Sequence, residues 1–172
     1  TSGIENVQGS KNSDTLKGDD NANSLLGGMG DDIFITSQGA DYFDGEENSD
    51  TLDYSTNEVG NAISVNLGNK VADDGYGATD IIENIEKIIA TQNADTLYGS
   101  TSVDTFIAGA GADIIHAEAG SDSIDGETGE DVIHAGAGAD IIHGGEDNDE
   151  IHGDSGANEI FGDGGSDTIY TG

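Results

Sequence analysis

Aspartate or asparagine stands at every ninth residue over most of this chain. The row is Asp14, Asn23, Asp32, Asp41 and Asp50, and then Asp95, Asp104, Asp113, Asp122, Asp131, Asp140, Asp149, Asn158 and Asp167. Carboxylates and amides repeated at one phase are oxygen ligands for a hard cation. If two nonapeptides close one coil, carboxylates two repeats apart stack about 5 Å from each other with turn carbonyls between them. Calcium suits such a cage best, because magnesium demands stricter octahedral geometry and keeps more water. Asn23 and Asn158 lack the charge, which weakens their sites while leaving an oxygen. A merely solvated acidic face would not need glycine, acid and apolar residue locked in one phase.

The elements that must position these ligands follow from the rest of the nonapeptide. Its cleanest copy, Gly27-Gly28-Met29-Gly30-Asp31-Asp32-Ile33-Phe34-Ile35, reads G-G-x-G-x-D-x-U-x, with U apolar. Position eight is apolar in every copy: Leu16, Leu25, Phe34, Phe43, Leu52, Leu97, Phe106, Ile115, Ile124, Ile133, Ile142, Ile151, Ile160 and Ile169. Position four is Gly, Asn, Asp or Ser throughout, and the first three of these tolerate φ > 0. Positions one to six therefore predict a tight turn with a left-handed step, and positions seven to nine a short strand. Strand side chains alternate in direction, so position eight points inward and its neighbours outward. A period this short is a solenoid, in which adjacent coils bury each other's apolar side. The predicted fold class is all-β, with 18-residue coils carrying a strand on each side and two parallel sheets over a thin core. About nine coils would make a rod roughly 45 Å long.

Composition sets the energetic problem. The net charge is -32, with 36 acidic residues against 4 basic ones, and Leu, Ile, Val and Phe number 35 of 172. That is close to the level at which chains stay disordered, and ordering 28 glycines adds to the cost. Without counter-charge the chain is expected not to fold, so metal must supply much of the folding free energy. There is no cysteine and no proline. The first fits a secreted protein stabilised by metal, the second an uninterrupted strand stack. The acidity argues against nucleic acid and anionic membranes as partners. No stretch reads as a signal peptide or lipidation site, and none is apolar and long enough to span a membrane.

The nonapeptide resembles that of the RTX (repeats-in-toxin) calcium-binding proteins, over residues 9–53 and 90–170. The resemblance implies a right-handed parallel β-roll with calcium held between successive turns by the position-six side chains and by loop carbonyls. The glycines matching those loops at positions two and four are Gly28, Gly30, Gly109, Gly111, Gly120, Gly129, Gly136, Gly138, Gly145, Gly156 and Gly165. Pairing each repeat with the next but one predicts about eight to ten calcium ions. The resemblance further implies a module of a larger secreted bacterial adhesin, toxin or exoenzyme. Such a module is exported through a type I secretion machinery and folds on meeting extracellular calcium. The chain stops at Tyr170-Thr171-Gly172 in mid-pattern, so a piece of a longer protein is expected. The alternative is a ligand-binding module for a glycan or cell-surface partner.

Residues 54–89 break the pattern without losing phase, and three segments are expected: a first block over 1–53, degenerate calcium-free coils or linker strands over 54–89, and a second block over 90–172. Gly3-Ile4-Glu5-Asn6-Val7 before the first block parallels Asn84-Ile85-Glu86-Lys87-Ile88 before the second. Within the break Ile63-Ser64-Val65-Asn66-Leu67 alternates and reads as a strand, with Val71 and Ile81-Ile82 adding others. Four histidines, His116, His134, His143 and His152, all fall at position nine. His116, His134 and His152 should form an outward ladder, which raises the question of a shared transition metal. No nucleophile and base are set together, so no enzymatic activity is expected. An ice-binding row would need regularity that position three lacks, and an alginate site would need more base than 4 Lys.

Overall fold

The alternation within positions seven to nine is realised as a short strand in each nonapeptide, three residues long in most copies. The computed structural model describes residues 6–57 and 61–172. Gly3, Ile4 and Glu5, the start of the motif expected to parallel Asn84-Ile85-Glu86, lie outside them. Among the described residues there is no helix, and the strands form an 11-stranded and an 8-stranded sheet with a small two-strand pairing between turns. Within each repeat block a strand pairs in parallel with the one 18 residues on: Leu97 lies opposite Ile115 in the larger sheet, and Phe106 opposite Ile124 in the smaller. The chain is thus a parallel β-solenoid of 18-residue coils.

The position-eight side chains fill the space between the sheets. From Leu16 to Ile151 none is more than 8% exposed, each contributing about 1.5–3 kcal/mol of burial. Phe34 and Phe43 meet edge to face at 5.7 Å. In the last repeat Ile169 is 41% exposed.

The break is built differently from the repeats. Ser64–Asn66, Val71–Asp73 and Thr79–Glu83 are strands, and Val71–Asp73 runs antiparallel to both of the others. This meander sits inside the larger sheet, pairing in parallel with Tyr42–Glu47 on one side and Thr96–Tyr98 on the other. In the smaller sheet Thr51–Asp53 pairs directly with Lys87–Ile89, so nothing is inserted there. The segment expected to form degenerate coils or linker strands thus joins the sheet as a meander. Two tight turns reverse the chain, one with Lys70 at φ 61° and one with Gly75 at φ 78° and Gly77 at φ 95°.

Candidate metal centres

The position-six side chains form a ladder along the edges of both sheets. In ten of the fourteen, one side-chain oxygen accepts the backbone N–H of the position-six residue one coil earlier. Asp95 donates to Asp113 Oδ1 at 2.6 Å, Asp113 to Asp131 at 2.8 Å and Asp131 to Asp149 at 2.9 Å. The second row runs from Asp104 through Asp122 and Asp140 to Asn158. In the first block Asp14 donates to Asp32, Asp32 to Asp50, and Asn23 to Asp41. All fourteen predicted residues take part, with Asp167 accepting from Asp149 at 3.1 Å. Two residues outside the predicted row extend it across the break: Asp80 Oδ1 accepts from Asp41 at 2.8 Å, and Glu86 Oε2 from Asp50 at 3.0 Å.

The other carboxylate oxygen divides the turns into two kinds, and position two decides which. Where position two is Ser or Thr, the turn is closed on its own carboxylate. Ser10, Thr91 and Ser100 donate their N–H to Oδ2 of Asp14, Asp95 and Asp104 at 2.6, 2.7 and 2.6 Å. The Ser37 hydroxyl donates to Asp41 Oδ2 at 3.3 Å. Where position two is left-handed, the amide turns away, as when Glu46 donates to Asp44 and Glu127 to Asp125. Position two is also left-handed at Asp154 and Asp163, in the repeats of Asn158 and Asp167 at the end of the roll, while the left-handed residues Gly28, Glu46, Gly109, Glu118, Glu127, Gly136 and Gly145 belong to the repeats of Asp32, Asp50, Asp113, Asp122, Asp131, Asp140 and Asp149. In all seven of these the Oδ2 atom is buried and has no hydrogen-bond partner.

These orphaned oxygens fit a cation. Burial pushes the Asp50 and Asp113 carboxyls up to about 7 and those of Asp122 and Asp131 to about 6, and neighbouring carboxylates add to the shift. An unpaired carboxylate in a dry site is costly, and a hard cation removes that cost. Backbone oxygen converges on the same place. A Cβ on Gly144 would lie 2.5 Å from Asp149 Oδ2 and 2.9 Å from the Gly162 carbonyl oxygen of the next coil. At Gly144 the absence of a side chain therefore lets carbonyl and carboxylate face a common ligand, and in the other open turns position one is Gly or the small Ala108, Ala117 and Ala135. Among the described residues no three His, Cys, Asp or Glu side chains gather at one point. Any cage in the turns therefore relies on backbone carbonyls, a donor set calcium accepts.

The predicted glycines serve the turn in more than one way. Gly28, Gly109, Gly136 and Gly145 supply the left-handed step at position two, and Gly30, Gly111, Gly129, Gly156 and Gly165 a second one at position four. Gly120 and Gly138 lie outside the left-handed region, but a Cβ on either would strike the carbonyl of the coil before it. The carbonyls of Gly109, Gly136 and Gly145 accept N–H groups of the next coil's turn at 3.0, 2.8 and 2.7 Å, which ties successive turns together. The two asparagines differ from each other, because Asn23 keeps a buried Oδ1 without a partner and Asn158 does not. Asn158 gives Oδ1 to the ladder and its amide nitrogen to the Gly153 carbonyl. Asn23 likewise directs its nitrogen at the carbonyls of Asp19 and Asn21. At Asn158 an N–H group therefore stands where the open turns present a carboxylate oxygen.

A parallel solenoid whose turns present orphaned carboxylates to backbone carbonyls is a calcium-binding roll in its class. The family model for the RTX calcium-binding nonapeptide repeat (4 copies) matches residues 1–34, 26–55, 89–124, 116–151 and 143–172, and the chain belongs to that family. A comparison with curated proteins found no match.

The histidine ladder forms as a stack. Tyr98, His116, His134, His152 and Tyr170 lie face to face with centroids 5.1, 4.9, 4.3 and 4.5 Å apart. Ring-nitrogen lone pairs lie in the ring plane, so parallel rings aim them side by side and not at a shared metal. His152 instead meets Glu150 at 2.9 Å, and His143, stacked on Phe161 in the other sheet, meets Asp163 at 2.8 Å.

Proposed function

We propose that this chain is a calcium-gated folding module of a larger secreted protein, holding its ions in the open turns. The observation that carries the reading is the set of seven buried Oδ2 atoms without a partner, on Asp32, Asp50, Asp113, Asp122, Asp131, Asp140 and Asp149. About seven ions in the repeats follow, fewer than the fourteen repeats alone suggest. The closed turns of Asp14, Asp41, Asp95 and Asp104 satisfy their own carboxylates and need none. At low calcium, repulsion among the acids keeps the chain unfolded, the state that export by a one-step type I system requires. Outside the cell, extracellular calcium neutralises the acid rows and drives folding. Family membership supports this route and an extracellular or cell-surface location. In this reading residues 1–53 and 90–172 are the calcium-loaded blocks, joined through 54–89.

Far-ultraviolet circular dichroism with a calcium titration, read together with native mass spectrometry, tests the proposal. The expected result is a disordered spectrum in chelator, a β spectrum in calcium and about seven ions in the repeats, at affinities of about 10⁻⁴–10⁻³ M. A spectrum that chelator leaves unchanged would sink it.

A further inference from the structure

Outside the nonapeptides, the meander buries two carboxylates that the repeat chemistry does not use. Thr79–Glu83 pairs antiparallel with Val71–Asp73, placing Asp80 opposite Ala72. Residues two apart on a strand share a face, so Asp74 lies on the side of Ala72 and Asp80. That side is the inner one: Ala72 is 1% exposed, and Asp74 and Asp80 are both at 0%. Each uses one oxygen. Asp80 Oδ1 accepts the Asp41 N–H, and Asp74 Oδ1 accepts the Tyr76 N–H at 2.8 Å. The remaining Oδ2 atoms are buried and have no partner.

A third polar group faces the same place. Tyr54 is wholly buried, and its hydroxyl also has no partner. Asn57 ties it to the meander, donating its N–H to the Tyr54 carbonyl at 2.9 Å and its side-chain amide to the Asp74 carbonyl at 3.2 Å. After burial, the charges that act most on the Tyr54 hydroxyl are those of Asp80, Asp74 and Asp41. A hydroxyl donor beside carboxylate acceptors, with no bond between them, leaves room for a shared partner. A cleft bordered by Ser37, Asn57 and Tyr76 lies beside the residues that hold Tyr54 and Asp74 in place.

We infer that the meander carries a divalent cation site of its own, with Asp74 Oδ2, Asp80 Oδ2 and the Tyr54 hydroxyl as ligands. Two carboxylates in a dry setting match a double charge, and calcium suits buried protein oxygens better than magnesium, which keeps several waters. Both carboxylates, Asp74 and Asp80, lie outside the segments that match the RTX repeat, and Tyr54 stands at the end of one of them. It rests on the calcium reading of the turns only for the choice of ion, and it replaces the calcium-free interruption expected from the sequence.

Native mass spectrometry in saturating calcium should count one ion fewer in Asp74→Asn than in the unaltered chain. Terbium substituted for calcium gives a second readout, because a tyrosine touching the ion sensitises its luminescence. Tyr54→Phe should keep the β spectrum and lose part of the tyrosine-excited terbium emission. Equal ion counts for Asp74→Asn and the parent, or undiminished emission from Tyr54→Phe, would overturn the site. If Asp74→Asn does not fold, the emission of Tyr54→Phe decides alone. A chain whose spectrum ignores chelator refutes the roll reading, whereas one that responds to calcium with unchanged counts refutes only this site.

Discussion

Glu127→Ser should turn an open turn into a closed one, and its energetics can be worked from the closed turns already in the chain. Glu127 sits at φ 64°, a conformation that costs a residue with a Cβ about 1–2 kcal/mol. A serine there can relax to negative φ and present its N–H to Asp131 Oδ2, as Ser100 does to Asp104 at 2.6 Å. A hydrogen bond to a charged group contributes about 1.5–3 kcal/mol. The hydroxyl adds little, because the Ser100 hydroxyl lies 3.3 Å from its carboxylate. The calcium-free roll should therefore gain about 3 kcal/mol. The variant also loses the ion that Asp131 would share, worth about 2.7 kcal/mol at a calcium concentration of 100 Kd and about 4.1 at 1,000 Kd. The two effects nearly cancel at the lower concentration, and the parent becomes the more stable at the higher one. Native mass spectrometry should find one ion fewer, and circular dichroism should find folding at lower calcium with a shallower dependence on it. An unchanged ion count would mean that position two does not govern the site, and the division into open and closed turns would fall.

Acid should fold the calcium-free chain. The carboxyls of Asp50 and Asp113 stand at about 7 and those of Asp122 and Asp131 at about 6, all raised above the ordinary 3.8. A raised carboxyl binds its proton more tightly in the folded state. Its stabilising effect is complete below about pH 4 and disappears as pH rises through about 6 to 7. In chelator, β structure measured by circular dichroism should grow between about pH 7.5 and 5, and a flat profile would contradict the burial of these groups. With calcium present the sign reverses, because protons compete for the same oxygens. Position along the roll should matter as well. Asp131→Ala strands the buried Asp113 N–H that it accepts at 2.8 Å, a loss of about 1–3 kcal/mol, and removes a charged ligand in mid-stack. Asp167→Ala removes a 3.1 Å bond in the partly exposed last coil. The calcium midpoint for folding should rise clearly for the first and little for the second, and equal shifts would mean that folding does not propagate through contiguous coils.

The ladder and the core were legible because each depends on one residue type at one phase. An aspartate two places before an apolar residue fixes both the edge and the inner face, whatever the neighbouring coil contains. The left-handed step at position two was hidden because Glu46, Glu118, Glu127, Asp154 and Asp163 adopt it without being glycine, so no single residue type marks it. Its signal was the opposite residue class: Ser10, Ser37, Thr91 and Ser100 mark the closed turns. Position one carried a signal too, since it is Gly, Ala or, at Thr36, threonine in every repeat. Asp80 follows Asp41 by 39 residues, which is out of phase with a nine-residue count. Only the antiparallel meander brings it into the ladder, and no periodicity could place it. Glu86 is in phase, 36 residues after Asp50, but it is neither Asp nor Asn.

Open and closed turns are not scattered evenly along the axis. After the meander come two closed turns, at Asp95 and Asp104, where serine or threonine amides bind the carboxylates. Five open turns follow in succession, from Asp113 to Asp149. Large apolar residues crowd the first of these regions: Tyr54, Ile63, Val65, Leu67, Ile82, Ile85 and Ile88 are all buried there, joined by Leu97 and Phe106. The run of open turns has little more than one isoleucine per nonapeptide, Ile115, Ile124, Ile133, Ile142 and Ile151, with small alanines such as Ala117 and Ala135 beside them. In a stack where each coil touches only its neighbours, local stability is the sum of a coil's own terms and its contacts. Where the core is thick the chain satisfies its turn carboxylates with its own N–H groups. Where the core thins to a single row it leaves them to metal, so in the second block dependence on calcium grows away from the meander, whereas the first block alternates open turns at Asp32 and Asp50 with closed ones at Asp14 and Asp41.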